Sequence, residues 1–150
     1  MEPYAEINIK NVTNSHELSC VVNNTSLTPL KWLMFKDELK KKLQTIGEDH
    51  SIKKFYMYYD ATFLDLMIQP EKYKELSQIF IENYELFKDK LLGTFIYVES
   101  HVLNLMINIF IKFYSPVRPL FILKTKSIDP NIINDLLDNR KNENEYNINK

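Results

Sequence analysis

Glycine is nearly missing from this chain: Gly47 and Gly93 are the only two in 150 residues. Phosphate-cradling loops and dinucleotide fingerprints each need several glycines close together, so both are excluded. Cysteine is scarcer still. Cys20 stands alone, which rules out an internal disulfide and any metal cluster built on cysteines, and favours a reducing, intracellular setting. Arginine is confined to Arg118 and Arg140, and the formal net charge is only -1. Phosphate-rich partners are held by a positive field and read by bidentate arginines, so nucleic acid is not expected as a partner. The opening residues MEPYAEINIK carry neither the basic start nor the apolar centre of a signal peptide. The longest apolar stretch, Val102 to Tyr114, is interrupted by Asn104, Asn108 and Lys112 and falls short of the roughly 20 residues a bilayer span takes. A cytoplasmic protein that does not cross the membrane is the expectation.

What is present is a pattern of alternation. Phe55 to Ala61, Thr94 to Ser100 and Leu120 to Leu123 are short, β-rich apolar runs separated by longer helical ones. Parallel strands need helical crossovers, so this order predicts an α/β domain with a largely parallel sheet. Ahead of it, Glu6 to Val12 and Glu17 to Val22 alternate apolar and polar residues around the turn-formers Asn14 and Ser15, which reads as a hairpin. Thr28 and Pro29 are cap and first residue of a helix whose stripe is Trp32, Phe35, Leu39, Leu43 and Ile46, with Gly47 at its end. Lys40, Lys41 and Lys42 fall on the solvated side of that helix.

A second helix starts at Pro70 and carries Tyr73, Leu76, Phe80, Tyr84, Phe87 and Leu91, stopped by Gly93. A third, Val102 to Tyr114, is apolar nearly all round. It is either buried or presents Leu103, Ile107 or Phe110 to a partner, a second copy included. Asp129-Pro130 opens a last short helix. The whole is one domain over 1–138, with a five-stranded, mixed but mostly parallel sheet in the order β-β-α-β-α-β-α-β-α. The polar tail 139–150 has almost nothing to bury and is expected to be disordered. Strand alternation sends Tyr56 and Tyr58 to one face and Phe55, Met57 and Tyr59 to the other, with Tyr97 extending the first row. General layer rules expect the Trp32 helix over the Tyr56 row.

This order of elements resembles the STAS domain of bacterial anti-sigma-factor antagonists, a stacked strand–helix superhelix, over roughly Glu6 to Leu137. The local likeness is Tyr58-Tyr59-Asp60-Ala61-Thr62-Phe63-Leu64-Asp65, similar to the family's third-strand segment ending in Phe-x-Asp. The family continues with Asp-Ser-Ser-Gly-Leu and a phosphorylated serine. Here Leu66, Met67 and Ile68 follow, so the resemblance implies a docking surface without the phosphorylation switch. The implied function is a non-catalytic, regulatory protein-interaction domain. Its partner-binding residues would be Asp60, Phe63, Leu64, Asp65, Leu66, Met67, Ser100, His101 and Arg118. The same superhelix is similar to lipid-exchange domains of the CRAL-TRIO type. That likeness implies an apolar ligand between the sheet and Phe80, Tyr84, Ile107 and Phe110.

Chemistry finds little support in the spacing. Open parallel sheets place ligands beyond the carboxyl ends of their strands. There lie Asp60, Thr62 and Asp65, then Glu99, Ser100 and His101, then Lys124, Thr125 and Lys126. Adjacent Ser100 and His101 point apart at a strand–helix junction, and no glycine forms a nucleophile elbow, so Ser100 reads as a helix cap. His16, His50 and His101 make no metal-binding spacing, and Asp60 with Asp65 is a weak one; neither a metal nor a cofactor is expected. Arg118, between Pro116 and Pro119, either anchors a partner or pins its connector to backbone carbonyls, the second being preferred.

Overall fold

The computed structural model describes residues 2–12, 15–63, 70–98 and 114–123, and the backbone of Tyr146–Ile148. The hairpin is present: β1 (Ala5–Val12) pairs antiparallel with β2 (Ser15–Val22), from Val12↔Ser15 to Ala5↔Val22. Next to β2, in parallel, come β3 (Phe55–Asp60), β4 (Leu91–Tyr97) and β5 (Leu120–Leu123) in consecutive order. The α/β class and the mixed sheet agree with the sequence. One strand does not. Within the tail read as disordered, β6 (Tyr146–Ile148) pairs parallel with β5. The backbone ladder is what this strand adds, and apolar patterning does not foretell that.

Three helices fill the described crossovers: α1 (Pro29–Glu48), α2 (Pro70–Glu82) and α3 (Tyr84–Lys90). α1 forms where cap, proline and period coincide. Thr28 Oγ1 accepts the Lys31 N–H at 3.1 Å, Pro29 occupies the first turn, and the five stripe residues are the ones buried. Gly47 does not end it. The helix runs to Glu48 and stops where Asp49 Oδ1 takes the Ser51 N–H at 2.9 Å, an alternative to further helical bonding. Thr28→Ala leaves one first-turn N–H without its partner and should lower stability by about 1 kcal/mol, read from the urea midpoint.

The long helix expected from Pro70 to Leu91 is two helices. Asn83 Nδ2 donates to the Ile79 carbonyl at 2.8 Å, and its own N–H turns back to the Phe80 carbonyl at 3.1 Å. A short amide that takes a helical carbonyl competes with the backbone ladder, and the helix restarts at Tyr84. Gly93 is not a helix stop either. β4 has already begun at Leu91, and the register moves from Phe55↔Leu91 to Met57↔Thr94, so one extra residue bulges out around Gly93. Tyr114, the last residue of the expected third helix, is not helical; 99–113 and the helix expected at Asp129 lie outside the described residues.

The sheet faces separate as alternation requires. Leu18, Cys20, Phe55, Met57 and Tyr59 pack with α1, α2 and α3 in one core that holds Trp32, Phe35, Leu39, Leu43, Phe80 and Phe87. α1 therefore covers the Phe55/Met57 face, not the Tyr56/Tyr58 row expected under it. The Tyr56 face forms its own cluster with Phe95, Phe121 and Leu123, flanked by Tyr58, Leu92, Tyr97 and Val12, and among the described residues that cluster consists of strand residues and no helix.

Candidate functional site

Register brings the ends of four strands into one row. Val21 faces Asp60, Asp60 faces Tyr97, and Tyr97 faces Leu123. One step inward runs the parallel row Ser19, Tyr58, Phe95 and Phe121. These rows make the carboxyl rim of the sheet and the second sheet face meet at Asp60 and Tyr97.

Asp60 is buried, and its Oδ1 accepts both the Thr62 N–H, at 3.1 Å, and the Thr62 hydroxyl. That turn, together with Ala61 N–H donating to the Tyr97 carbonyl at 2.9 Å, fixes the direction in which the chain leaves β3. The next residue, Phe63, stands 47 % exposed. A large aromatic thus stands half exposed directly after the turn that Asp60 and Thr62 hold.

Acidic groups crowd the face behind the rim. Tyr56 Oη donates to Glu17 Oε2 at 2.7 Å. Burial, then this bond and the Glu17 charge, hold the Tyr56 phenol well above its ordinary value. Tyr58 is pushed up to about 12, first by burial and then by the charges of Asp60 and Glu17. On the opposite face of the sheet the Cys20 thiol is pushed up to about 12 by complete burial, with Asp60 adding to it. A thiol so placed stays protonated and is no nucleophile at neutral pH. Tyr59, wholly buried, lies well above its ordinary value because of burial, then through Cys20 and Tyr114.

Of the residues singled out by sequence, Asp60 and Phe63 meet at this rim. Arg118 does not join them. Its Nη2 donates to the Lys88 carbonyl at 2.7 Å and Nη1 to the Val117 carbonyl at 3.3 Å, at the end of the sheet where β4 and β5 begin. The pinning role preferred from sequence is the one these bonds describe. Lys90 and Lys54 act alike there: Lys90 Nζ takes the Ile46 carbonyl at 2.7 Å and Lys54 Nζ the Asp89 carbonyl at 2.6 Å, cations on the last carbonyls of α1 and α3. Leu64, Asp65, Leu66, Met67, Ser100 and His101 lie outside the described residues, as do Lys124, Thr125 and Lys126. Glu17 and Ser19 were not anticipated on the Tyr56 face. Their signal is the polar half of the Glu17 to Val22 alternation, opposite Leu18 and Cys20.

For an apolar ligand, the described lining offers ring contacts. Phe80 packs against Phe87 at 5.6 Å and Tyr114 at 5.4 Å, and Tyr84 turns outward. Ile107 and Phe110 lie outside the described residues. Among the described residues, no three His, Cys, Asp or Glu side chains gather as metal ligands, and no helix is long and apolar enough to cross a membrane. No protein-family model, no curated protein and no solved structure matches this chain.

Proposed function

We propose that this chain is a non-catalytic protein-interaction domain of STAS-like architecture, whose partner docks on the carboxyl rim around Asp60 and Phe63. The carrying observation is Phe63 itself, exposed directly after the turn that Asp60 and Thr62 lock at the end of a central parallel strand. Two further features support the reading. The consecutive strand order with an antiparallel pair first is the order a stacked strand–helix superhelix requires. The motif likeness to that family, Tyr58 to Asp65 in the sequence, includes Asp60 and Phe63 of this rim. Because the phosphorylatable serines of the family are replaced by Leu66 and Met67, binding here is constitutive rather than switched.

The test is capture from the native host with full-length bait. Phe63→Asp should lose the partner that wild type retains, while Leu33→Asp, an equally exposed apolar position on α1, should keep it. Equal capture by both variants would remove the rim from consideration. Co-purified lipid in native mass spectrometry, without protein partner, would favour the carrier reading instead.

A further inference from the structure

β1 ends the sheet, and no described strand pairs with its outer side. Eight residues long, it has no proline and no irregularity in its pairing with β2; of the devices that blunt such edges it carries only the charges of Glu6 and Lys10, which repel an unmatched strand but suit a complementary one. Glu6, Asn8, Lys10 and Asn11 on it are exposed.

Two hydrogen bonds fix which backbone groups face outward. The Tyr4 carbonyl accepts the Asn23 N–H at 2.8 Å, so Tyr4 bonds inward, and alternation turns Ala5 outward. At the other end, His16 N–H is spent on the Lys54 carbonyl in the β3 direction, at 3.0 Å. Its partner Asn11 is therefore in a pair without mutual bonds and also faces outward. Ala5, Ile7, Ile9 and Asn11 thus offer their N–H and C=O groups to a neighbour.

We propose that the neighbour is a second copy of this chain, paired antiparallel along β1 about a two-fold axis at Asn8. This register sets the outward-bonding residues against each other, Ile7 opposite Ile9 of the partner subunit and Ala5 opposite Asn11 of the partner subunit. It also sets Glu6 opposite Lys10 of the partner subunit, twice by symmetry. Those two stand as a non-hydrogen-bonded pair, where the Cα atoms come to about 4.5 Å and side chains meet most closely. Sliding the two-fold to Ile7 or to Ile9 keeps the backbone ladder possible but pairs each charge with an uncharged residue: Glu6 with Asn8 and Lys10 with Tyr4, or Lys10 with Asn8 and Glu6 with Val12. Charge complementarity selects the Asn8 register. Lys10 pairs across the hairpin with Glu17 at 3.9 Å, the long end of an ion pair, and its side chain keeps 57 % exposure, so the partner's Glu6 is a second carboxylate within its reach in this register.

Isologous pairing of one edge closes after two subunits, so the product is a dimer with a continuous sheet and not a fibre.

Sedimentation of the full chain over a concentration series tests this. Wild type should dimerise. Glu6→Lys sets lysine against lysine twice, and Lys10→Glu sets glutamate against glutamate twice, so each alone should weaken the dimer by about tenfold or more. Mixed in equal amounts, the two variants regain both attractive pairs and should form a heterodimer. Restoration in the mixture also demonstrates that both variants are folded. A wild type that stays monomeric at millimolar concentration overturns the proposal. So do single variants that dimerise like wild type, or a mixture that does not.

Discussion

Phe95→Ala is expected to lower stability by about 3–5 kcal/mol, a large part of the roughly 5–15 kcal/mol a domain has in total. Phe95 is fully buried at the centre of the row Ser19, Tyr58, Phe95 and Phe121. Its ring stacks on Phe121 at 4.9 Å with an interplanar angle of 14°, and takes the edge of Tyr56 at 5.6 Å and 84°. Truncation removes both ring contacts and leaves a cavity on a sheet face whose strands, hydrogen-bonded on both sides of β4, cannot close in. Aromatic pairs are worth about 0.5–1.5 kcal/mol beyond their burial, so two of them add to the transfer loss. Phe63→Ala, with half its ring in water, is the matched control and should change stability by only about 0.5 kcal/mol. Urea unfolding followed by fluorescence of Trp32, on the other sheet face, reports the global transition. A loss under about 1 kcal/mol for Phe95→Ala would mean that the second face is not packed as a core.

That second face marks where sequence reasoning worked and where it stopped. The sides taken by Tyr56, Tyr58 and Phe55 were legible because a strand has a period of two and no freedom to choose otherwise. Which side α1 would cover was not. That depends on how the crossover from β2 to β3 swings, and Trp32 and Phe35 could fill either layer. The stripe of α1 was legible down to each residue, since Thr28, Pro29 and the 3.6-residue period all agree. Gly93 misled because the same residue ends helices and accommodates bulges. Leu91 and Leu92 beside it fit either period, and only pairing with Phe55 decides for strand. The site divides the same way. Asp60 at a strand end was visible from the end of an apolar run, but its burial depends on the strands paired on either side of it, among them β4, whose Tyr97 carbonyl takes the Ala61 N–H. Glu17 could not be joined to Tyr56 without the parallel register that puts them side by side. Long-range pairing is the information a single sequence carries most weakly, and which β1 groups face outward likewise depends on which carbonyls the hairpin has already used.

The same burial that fills both faces predicts a steep alkaline transition. Cys20 has an ordinary value of 9.0 and is pushed up to about 12 by burial; Tyr58 and Tyr114 are pushed from 10.0 to about 12, and Tyr59 lies well above 10.0. Each of these groups is held neutral in the folded chain and ionises at its ordinary value once unfolded. The unfolded state therefore gives up protons first. Stability from these groups is complete below pH 9 and is lost as pH rises toward 12. Over that interval Cys20 alone accounts for roughly 4 kcal/mol at 1.36 kcal/mol per pH unit. The tyrosines add to it, Tyr58 by a smaller share because its partly exposed ring is screened by water. A sum of that size rivals the whole stability of the domain. Circular dichroism and tyrosinate absorbance should thus change together, in one cooperative step between about pH 10 and 12, rather than tyrosines titrating one by one in a folded chain. Cys20→Ala removes one fully buried contribution of this kind with a small loss of packing. It should be slightly less stable than wild type at pH 7 and more stable above about pH 11. A stability difference between the two proteins that stays constant across that range would show that the thiol ionises as readily folded as unfolded, and that Cys20 is not sealed between the sheet and α1.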